Sequence, residues 1–270
     1  MLQRFCLVYL LVISSTGLTT AQEKVASPAT KLVWEDNFDG DKLDYSKWGV
    51  EINAFGGGNN ELQIYTDNQK NVRVENGHLI LEAHKGKTGI SGTDRDYSSG
   101  RIRTKNRGDW KYGRVEVRAK LPVGQGIWPA IWMLPTDDVY GGWASSGEID
   151  IMEYRGQEPN KVLGTLHYGG QWPDNKHTGE TYTLPSGNFA DDFHVYAIDW
   201  REGKIEWFVD GKLVQTQTKW DSAGGEFPAP FDQRFHLLLN LAVGGGFLGP
   251  PNDQTKFPQQ FVVDYVRIYE

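Results

Sequence analysis

The feature that most limits what this chain can fold into is a succession of short segments in which apolar and polar side chains alternate. Alternation with a period of two is typical of strands with one buried face, and no stretch of ten or more residues shows helical periodicity. Asp210-Gly211 predicts a tight hairpin over Ile205–Val214. The clearest strand segments are His78–Ala83, Gly113–Leu121, Val195–Trp200, Lys204–Val209 and Phe261–Tyr269.

Turn-forming residues are spread along the whole chain. The 32 glycines and 12 prolines are not gathered into a linker, no internal repeat is present, and composition does not change after residue 30. About 240 residues are enough to bury one large core, and β-sandwiches of this size are commonly single domains. The sequence therefore predicts one all-β domain over residues 31–270, built of two packed antiparallel sheets.

The N-terminus predicts export. Arg4 precedes the apolar run Phe5–Ile13, and small and polar residues follow up to Ala21, a pattern typical of a secretory signal peptide over residues 1–21. The run is too short for a membrane span, which needs roughly 20 apolar residues. Residues 22–30 are polar and aperiodic, and we expect a flexible lead-in there. The expected location is extracellular or periplasmic.

Charge and cysteine content narrow the classes of partner. The formal charge is −7, and it becomes −8 when residues 1–21, with Arg4 and no acids, are removed. An acidic surface disfavours nucleic acid and anionic membranes, so a neutral polymer fits better. The only cysteine, Cys6, lies in the signal, so the mature chain has no disulfide. Nothing in the sequence suggests an obligate partner, and we expect a monomer.

The segment Gly147–Tyr154 places three acids among apolar residues. Strand alternation puts Glu148 and Asp150 on one face, but Glu153 would fall on the other unless a β-bulge near Ile151-Met152 returned it. Retaining glycosidases need two carboxyl groups roughly 5–5.5 Å apart, one as nucleophile and one as acid. Three neighbouring acids cannot all ionise cheaply, so at least one should hold a proton near neutrality.

Two other interpretations of this segment remain open. Short acidic patterns are common on solvated strands, and for the string alone that interpretation is the more frequent one. A metal site is disfavoured because the segment has no histidine, and the next one, His167, comes fourteen residues after Glu153.

The wider sequence resembles glycoside hydrolase family 16, specifically its laminarinase-like branch, in which the last glutamate follows an extra residue. The matching blocks run in the family's order from about Leu32 to the C-terminus. They are Asn59–Glu61, Ser99–Ile102, Tyr112-Gly113, Gly126–Leu134, Gly141–Gly156, His167–Gly169, Phe193–Trp200 and Leu239–Gly245.

The resemblance implies a β-jelly roll of the concanavalin A-like type, whose concave sheet forms the substrate cleft. It implies that Glu148 is the nucleophile, that Glu153 is the general acid/base, and that Asp150 stabilises the charge between them. No cofactor is expected for catalysis. The residues that match substrate-binding positions are Asn60, Arg101, Trp128, Trp132, Trp143, His167, Trp172 and Asn240.

The binding residues fall into types. Trp128 and Trp132 are four apart and therefore share one strand face, where, with Trp143, they can stack on sugar rings. Core packing is the alternative for these tryptophans, and a surface ion pair is the alternative for Arg101. Trp172 extends this binding surface.

Two further features come from the resemblance. A structural calcium ion is expected on the convex face, bound by the carbonyls of Asn37 and Gly77 and the carboxylate of Asp264. A strand-surface acid is the alternative for Asp264. Gly246–Gly249 departs from the family's usual Asn-Trp after Gly-Gly, which alters a loop at the glycone end of the cleft.

These features predict a secreted, retaining endo-β-1,3-glucanase that acts on laminarin-type β-glucans. Mixed-linkage β-1,3-1,4-glucan or a galactan remains open as the substrate. A non-catalytic β-glucan-binding module is the alternative from another class, although such proteins usually lose the catalytic acids. The sequence leaves endo or exo action and transglycosylation undecided.

Overall fold

The computed structural model describes residues 30–90 and 92–270. The predicted signal peptide and residues 22–29 of the lead-in lie outside that part of the chain, so export stays a prediction. Among the described residues, no helix is long and apolar enough to cross a membrane.

Nearly all regular structure is β. One short 3-10 turn, Gly56–Gly58, is the only helical element in residues 30–90 and 92–270. The strands are β1 (Leu32–Asp36), β2 (Gly49–Val50), β3 (Gln63–Tyr65), β4 (Val72–Glu75), β5 (His78–Ile90), β6 (Thr93–Ser99), β7 (Arg101–Arg103), β8 (Asp109–Trp110), β9 (Gly113–Lys120), β10 (Ile127–Pro135), β11 (Glu148–Glu153), β12 (Lys161–Gly169), β13 (Asn175–Thr183), β14 (His194–Arg201), β15 (Lys204–Val209), β16 (Lys212–Gln217), β17 (Phe235–Val243) and β18 (Gln259–Tyr269).

The strands form two sheets. The ten-stranded sheet has the order β16-β15-β14-β9-β18-β5-β6-β3, with β1 beside β18 and β4 beside β5. The eight-stranded sheet has the order β13-β12-β11-β10-β17-β7-β2, with β8 beside β17. Every pair of these strands is antiparallel except β3 with β6. The all-β prediction of two packed, antiparallel-dominated sheets is confirmed.

The predicted strands lie within observed ones or overlap them closely. Asp210 and Gly211 have φ values of 50° and 75°, the positive pair that a two-residue hairpin between β15 and β16 requires. β5 runs on to Ile90, beyond the predicted end at Ala83, through residues whose polar pattern carries no alternation.

The core lies between the two sheets. On β17 the odd-numbered residues Leu237, Leu239 and Leu241 are fully buried, and they face side chains of the ten-stranded sheet. Trp207 of β15 crosses this layer, and its indole N–H donates to the backbone carbonyl of Asp150 at 2.9 Å. The ten-stranded sheet therefore contacts the strand that carries the acids from beneath.

Candidate active site

The acidic strand contains the bulge that the spacing of its glutamates predicts. Across β10 and β11, Trp132 lies opposite Asp150 while Ile131 lies opposite Met152, so Ile151 is the extra residue. On the other side, the pairing of β11 with β12 also shifts between Asp150 and Glu153. The shift restores parity, and Glu153 lies on the same face as Glu148 and Asp150.

Neighbouring strands complete this outer face of the eight-stranded sheet, which we call the site face. His167 of β12 lies opposite Glu148, and Thr165 lies opposite Asp150. On β10, Ala130 lies opposite Glu153, and its small side chain leaves space between Trp128 and Trp132. The three acids therefore lie in the middle of the face, with aromatic residues to one side and His167 to the other.

Two side chains hold the acids in place. The indole N–H of Trp143 donates to Glu148 Oε2 at 2.7 Å. His167 Nε2 lies 3.3 Å from Asp150 Oδ2 and 3.8 Å from Glu148 Oε1. Asp150 is only 3% exposed, and no donor of the described residues, His167 included, is aligned for a hydrogen bond to its Oδ2, so this oxygen is available to a proton.

All three carboxyl groups have raised pKa values. Burial, with the nearby charge of Asp150, raises the pKa of Glu148 to about 8, against the opposing effects of His167 and the Trp143 hydrogen bond. Burial likewise raises the pKa of Asp150 to about 8. The pKa of Glu153 is raised well above its ordinary range by burial and then by the charges of Asp150 and Glu148. The three acids titrate as one unit that retains protons near neutrality.

His167 also brings a metal-ligand geometry to the site. One ligand atom from each of Glu148, Asp150 and His167 lies within 4.8 Å of the others. The expectation against a metal rested partly on the separation of His167 along the sequence, and that reasoning was wrong because strand pairing places the two segments side by side. Paired carboxyl groups with raised pKa values are also what glycoside hydrolysis needs, and that chemistry requires no ion.

The two tryptophans of β10 differ in exposure. Trp132 is partly exposed on the site face. Trp128 is only 7% exposed because it packs on Ala242 and Leu248, with the Phe247 ring 4.8 Å away. The prediction that Trp128 and Trp132 share one strand face is confirmed. Most of the Trp128 surface is nevertheless packed against other side chains, as the alternative interpretation expected.

The loop that departs from the family pattern supplies Phe247. The Arg155 guanidinium lies 4.0 Å from the Phe247 ring centroid, so Phe247 is held between Arg155 and Trp128. The Leu248 carbonyl accepts hydrogen bonds from Gln125 at 2.7 Å and Gln157 at 3.1 Å. This loop is therefore fixed against the end of the site face near Trp128.

The other two predicted tryptophans are exposed and adjacent. Trp143 is 40% exposed and Trp172 is 74% exposed. The backbone N–H of Trp172 donates to the Trp143 carbonyl at 3.0 Å. The Trp143 ring also lies 5.7 Å from that of His167. The pair forms an aromatic edge beside Glu148, on the side towards β12 and β13.

The predicted polar residues lie on the side towards β17 and β7. Arg101 is buried, and its guanidinium lies 4.8 Å above the Trp132 ring while Nε lies 3.0 Å from Glu51. The ion pair that the alternative for Arg101 predicts is present, but its surface location is wrong, because Arg101 is buried and Glu51 is only partly exposed. Asn240 accepts a hydrogen bond from the Trp132 indole at 2.6 Å. Asn60 is exposed in the loop before β3, with φ of 58°.

The structure adds buried polar residues that the sequence did not single out. Tyr65 accepts a hydrogen bond from Asn240, and Glu61 accepts bonds from Tyr65 and Gln63. Tyr65, Glu61 and Gln63 are 1%, 8% and 1% exposed. They come from β3 and the residues before it, which reach the site face by pairing with the end of β17. The match at Asn59–Glu61 was the only signal that could have found them.

The predicted calcium ligands lie outside the site face. Asp264 forms a hydrogen-bonded ion pair with Arg118, and its other oxygen lies 3.8 Å from His78 Nε2. Gly77 occupies the turn between β4 and β5, and Asn37 follows β1. Arg118 already compensates the carboxylate that would bind the ion, so the residues fit calcium poorly unless Arg118 moves. The calcium site stays a prediction.

Comparison with known proteins gives a consistent result. The family model for glycosyl hydrolases family 16 matches residues 40–267. The chain is 48% identical over 257 residues to the glucan endo-1,3-beta-glucosidase A1 of Niallia circulans, which covers 88% of this chain but only 38% of that protein. It is 42% identical over 256 residues to the glucan endo-1,3-beta-glucosidase of Cryptopygus antarcticus, with coverages of 90% and 93%.

A solved structure agrees in fold. The endo-beta-1,3-glucanase of Pyrococcus furiosus superposes with a TM-score of 0.81 at 38% sequence identity, covering 91% of this chain and 98% of that one.

Proposed function

This chain belongs to glycosyl hydrolases family 16, and from that membership we propose that it is a secreted, retaining endo-β-1,3-glucanase acting on laminarin-type β-glucans. The observation that carries the proposal is the bulged strand β11, which places Glu148, Asp150 and Glu153 on one face with raised pKa values. The named activities of the relatives support the linkage.

The proposed reaction has two displacements. Glu153 donates its proton to the glycosidic oxygen while Glu148 attacks the anomeric carbon, so the C–O bond to the leaving sugar breaks and a glycosyl ester forms. Glu153, now ionised, then takes a proton from water. The hydroxide oxygen attacks the anomeric carbon, and the ester bond to Glu148 breaks.

The hydrogen bonds of the site suit this division of roles. The Trp143 N–H at 2.7 Å favours the ionised form of Glu148, which a nucleophile requires. For Glu153, burial and the charges of Asp150 and Glu148 raise the pKa more than His167 and the Trp128 indole lower it, so this acid keeps its proton. Asp150, between them and 3.3 Å from His167, can share a proton with Glu148 as charge develops.

The aromatic and polar residues around the acids suit a neutral sugar chain. Trp132 and the exposed pair Trp143 and Trp172 offer flat apolar surfaces on both sides of the acids. Each stacked sugar ring can contribute on the order of 1 kcal/mol beyond area burial. The Arg101 guanidinium, which is stacked on Trp132, is neutralised by Glu51, which suits an uncharged glucan better than a sulfated one.

The test is the hydrolysis of laminarin, lichenan and agarose, followed by reducing-sugar release. Laminarin should be cleaved fastest, and Glu148→Gln and Glu153→Gln should each lower kcat by ~10³-fold or more without unfolding the protein. Asp150→Asn should lower it less. The matched control is Glu202→Gln, an exposed acid in the β14–β15 turn, which should keep full activity.

Each alternative has its own outcome in that assay. Retained binding of laminarin without any hydrolysis by the wild type would identify a non-catalytic β-glucan-binding module. Preference for lichenan or agarose would reassign the substrate within the family. Full activity in Glu148→Gln would refute the assigned nucleophile, and inversion of the product anomer in an early NMR spectrum would refute retention.

A further inference from the structure

A continuous hydrogen-bond relay begins at Trp132, beside the three acids, and runs through buried polar side chains away from them. The Trp132 indole N–H donates to Asn240 Oδ1 at 2.6 Å, and Asn240 Nδ2 donates to the Tyr65 hydroxyl at 3.2 Å. The Tyr65 hydroxyl donates to Glu61 Oε2 at 3.2 Å. Three hydrogen bonds, through Asn240 and Tyr65, therefore connect Trp132 on β10 to Glu61 in the loop that precedes β3.

The direction of every bond in this relay is fixed by chemistry. An indole N–H can only donate, so the oxygen of the Asn240 amide must face Trp132 and its NH₂ must face Tyr65. The Tyr65 oxygen accepts that bond, and its own proton goes to the Glu61 carboxylate. Burial, together with the charge of Glu61, raises the pKa of Tyr65 well above its ordinary value, so the donor is not lost at high pH.

The far end of the relay is also fixed. Glu61 Oε2 accepts a second bond, from Gln63 Nε2 at 2.6 Å, and Gln63 Oε1 accepts the Val243 backbone N–H at 2.8 Å. Gly57 lies directly above Glu61, where a Cβ atom would be 2.0 Å from Glu61 Oε1. Only glycine at position 57 leaves the carboxylate its place. The relay is therefore anchored to the β17 backbone rather than to a mobile side chain.

The near end of the relay, Trp132, lies beside the strand that carries the three acids. Trp132 lies directly opposite Asp150 across the β10–β11 pair. The Arg101 guanidinium lies 4.8 Å from the Trp132 ring centroid and 5.9 Å from that of Tyr65. The relay fixes the Trp132 ring in its plane through the indole N–H, while Arg101 covers one face. The remaining exposed part of Trp132 is the surface that a sugar ring can contact.

We propose that Tyr65 and Glu61 are positioning residues for the glucan, which set the orientation of the Trp132 platform through Asn240. The inference rests on the proposed function and deepens it, because it assigns an effect on substrate affinity to two buried residues that act through Asn240 and Trp132. Under this proposal the relay affects substrate binding, because it orients a binding surface. Trp143 and His167 affect the catalytic step instead, because they contact the acids themselves.

The kinetic test compares Tyr65→Phe with the wild type on laminarin. Removing the hydroxyl breaks the relay at its middle, and we expect KM to rise about tenfold while kcat stays within about twofold. Glu61→Gln keeps an acceptor oxygen and should raise KM less than about threefold, whereas Glu61→Ala should match Tyr65→Phe. The variant that combines Tyr65→Phe with Glu61→Ala should be no worse than either alone, because both interrupt one relay.

The matched control is Tyr196→Phe. Tyr196 is a buried tyrosine of the ten-stranded sheet, 1% exposed, whose hydroxyl has no hydrogen-bond partner within residues 30–90 and 92–270. It should leave KM unchanged. An unchanged KM in Tyr65→Phe, or a fall in kcat alone, would overturn the proposal. Inactivity of both the wild type and Tyr196→Phe on every β-glucan would instead refute the proposed function.

A measurement without substrate keeps the two failures distinct. Chemical denaturation of Tyr65→Phe, Trp132→Phe and the double variant gives the coupling between Trp132, at the near end of the relay, and Tyr65, in its middle. The relay predicts that their effects on the free energy of unfolding are not additive. Strict additivity would overturn the proposal whether or not laminarin is cleaved.

Discussion

Replacing the nucleophile should stabilise the protein, and the gain should grow with pH. Folded Glu148 holds a proton up to a pKa of about 8, whereas its ordinary value is 4.5. Between these two values the unfolded chain binds fewer protons than the folded one, so unfolding releases protons and the free energy of unfolding falls as the pH rises. Glu148→Gln removes this ionisation but keeps a similar shape and an oxygen that can accept the Trp143 N–H.

The magnitude follows from the same two values. At about 1.4 kcal/mol for each tenfold change in proton affinity, the upper limit is about 5 kcal/mol above pH 8. At pH 7 the linkage relation gives about 3 kcal/mol, and at pH 5 less than about 1 kcal/mol. Asp150 titrates together with Glu148, so its own ionisation takes up part of the gain. We therefore expect about 1–3 kcal/mol at pH 7.

Thermal unfolding at pH 5, 7 and 8 is the assay. For a domain of this size a gain of 1 kcal/mol corresponds to about 2–4 °C, so Tm should rise by about 2–12 °C at pH 7 and by much less at pH 5. Glu202→Gln, in an exposed turn, is the control and should show no such trend. A Tm difference for Glu148→Gln that is the same at pH 5 and pH 8, or negative at pH 8, would refute the reasoning.

Three other perturbations have defined outcomes. Trp143→Phe removes the donor to Glu148 Oε2 and so raises the Glu148 pKa further. The acid limb of the pH profile of kcat/KM should therefore move to higher pH, with about tenfold lower activity at pH 6. An acid limb at the same pH as in the wild type would contradict this. Trp48→Phe removes the 2.8 Å bond to buried Asp36, and urea denaturation should show a loss of about 2–3 kcal/mol. His236 has a pKa lowered to about 3 by burial, so the unfolded chain takes up a proton below about 6.5 and stability falls on acidification. His236→Gln should lose about 2–3 kcal/mol less than the wild type between pH 6.5 and pH 4, and equal losses would count against it.

The strands and the bulge were predictable because they depend on local rules. Alternation located β9, β14, β15 and β18 closely, and the parity of Glu148, Asp150 and Glu153 required one extra residue between the last two. A strand with one polar face has no other way to collect these three acids.

What the sequence could not supply depends on lateral pairing. His167 lies opposite Glu148 because β11 and β12 are antiparallel neighbours, and a distance along the chain carries no such information. Trp128 is buried because Phe247, more than a hundred residues later, packs against it. Tyr65 and Glu61 reach the site through an isolated pairing with the end of β17, which alternation does not encode.

The extra residue at Ile151 also determines which changes of length this strand can survive. Loss of a residue at Ile151 or Met152 would leave Glu-x-Asp-x-Glu, which keeps all three acids on one face of a regular strand. Loss of Ile149 would separate Glu148 from Asp150 across the sheet. Because of the bulge, one residue of β11 can be deleted without moving any of the three acids to the other face. The packing around that residue still constrains the strand, since the Trp207 indole donates to the neighbouring Asp150 carbonyl. A strand with the bulge and a strand one residue shorter can thus present the same three acids on one face, and a single deletion converts the first into the second.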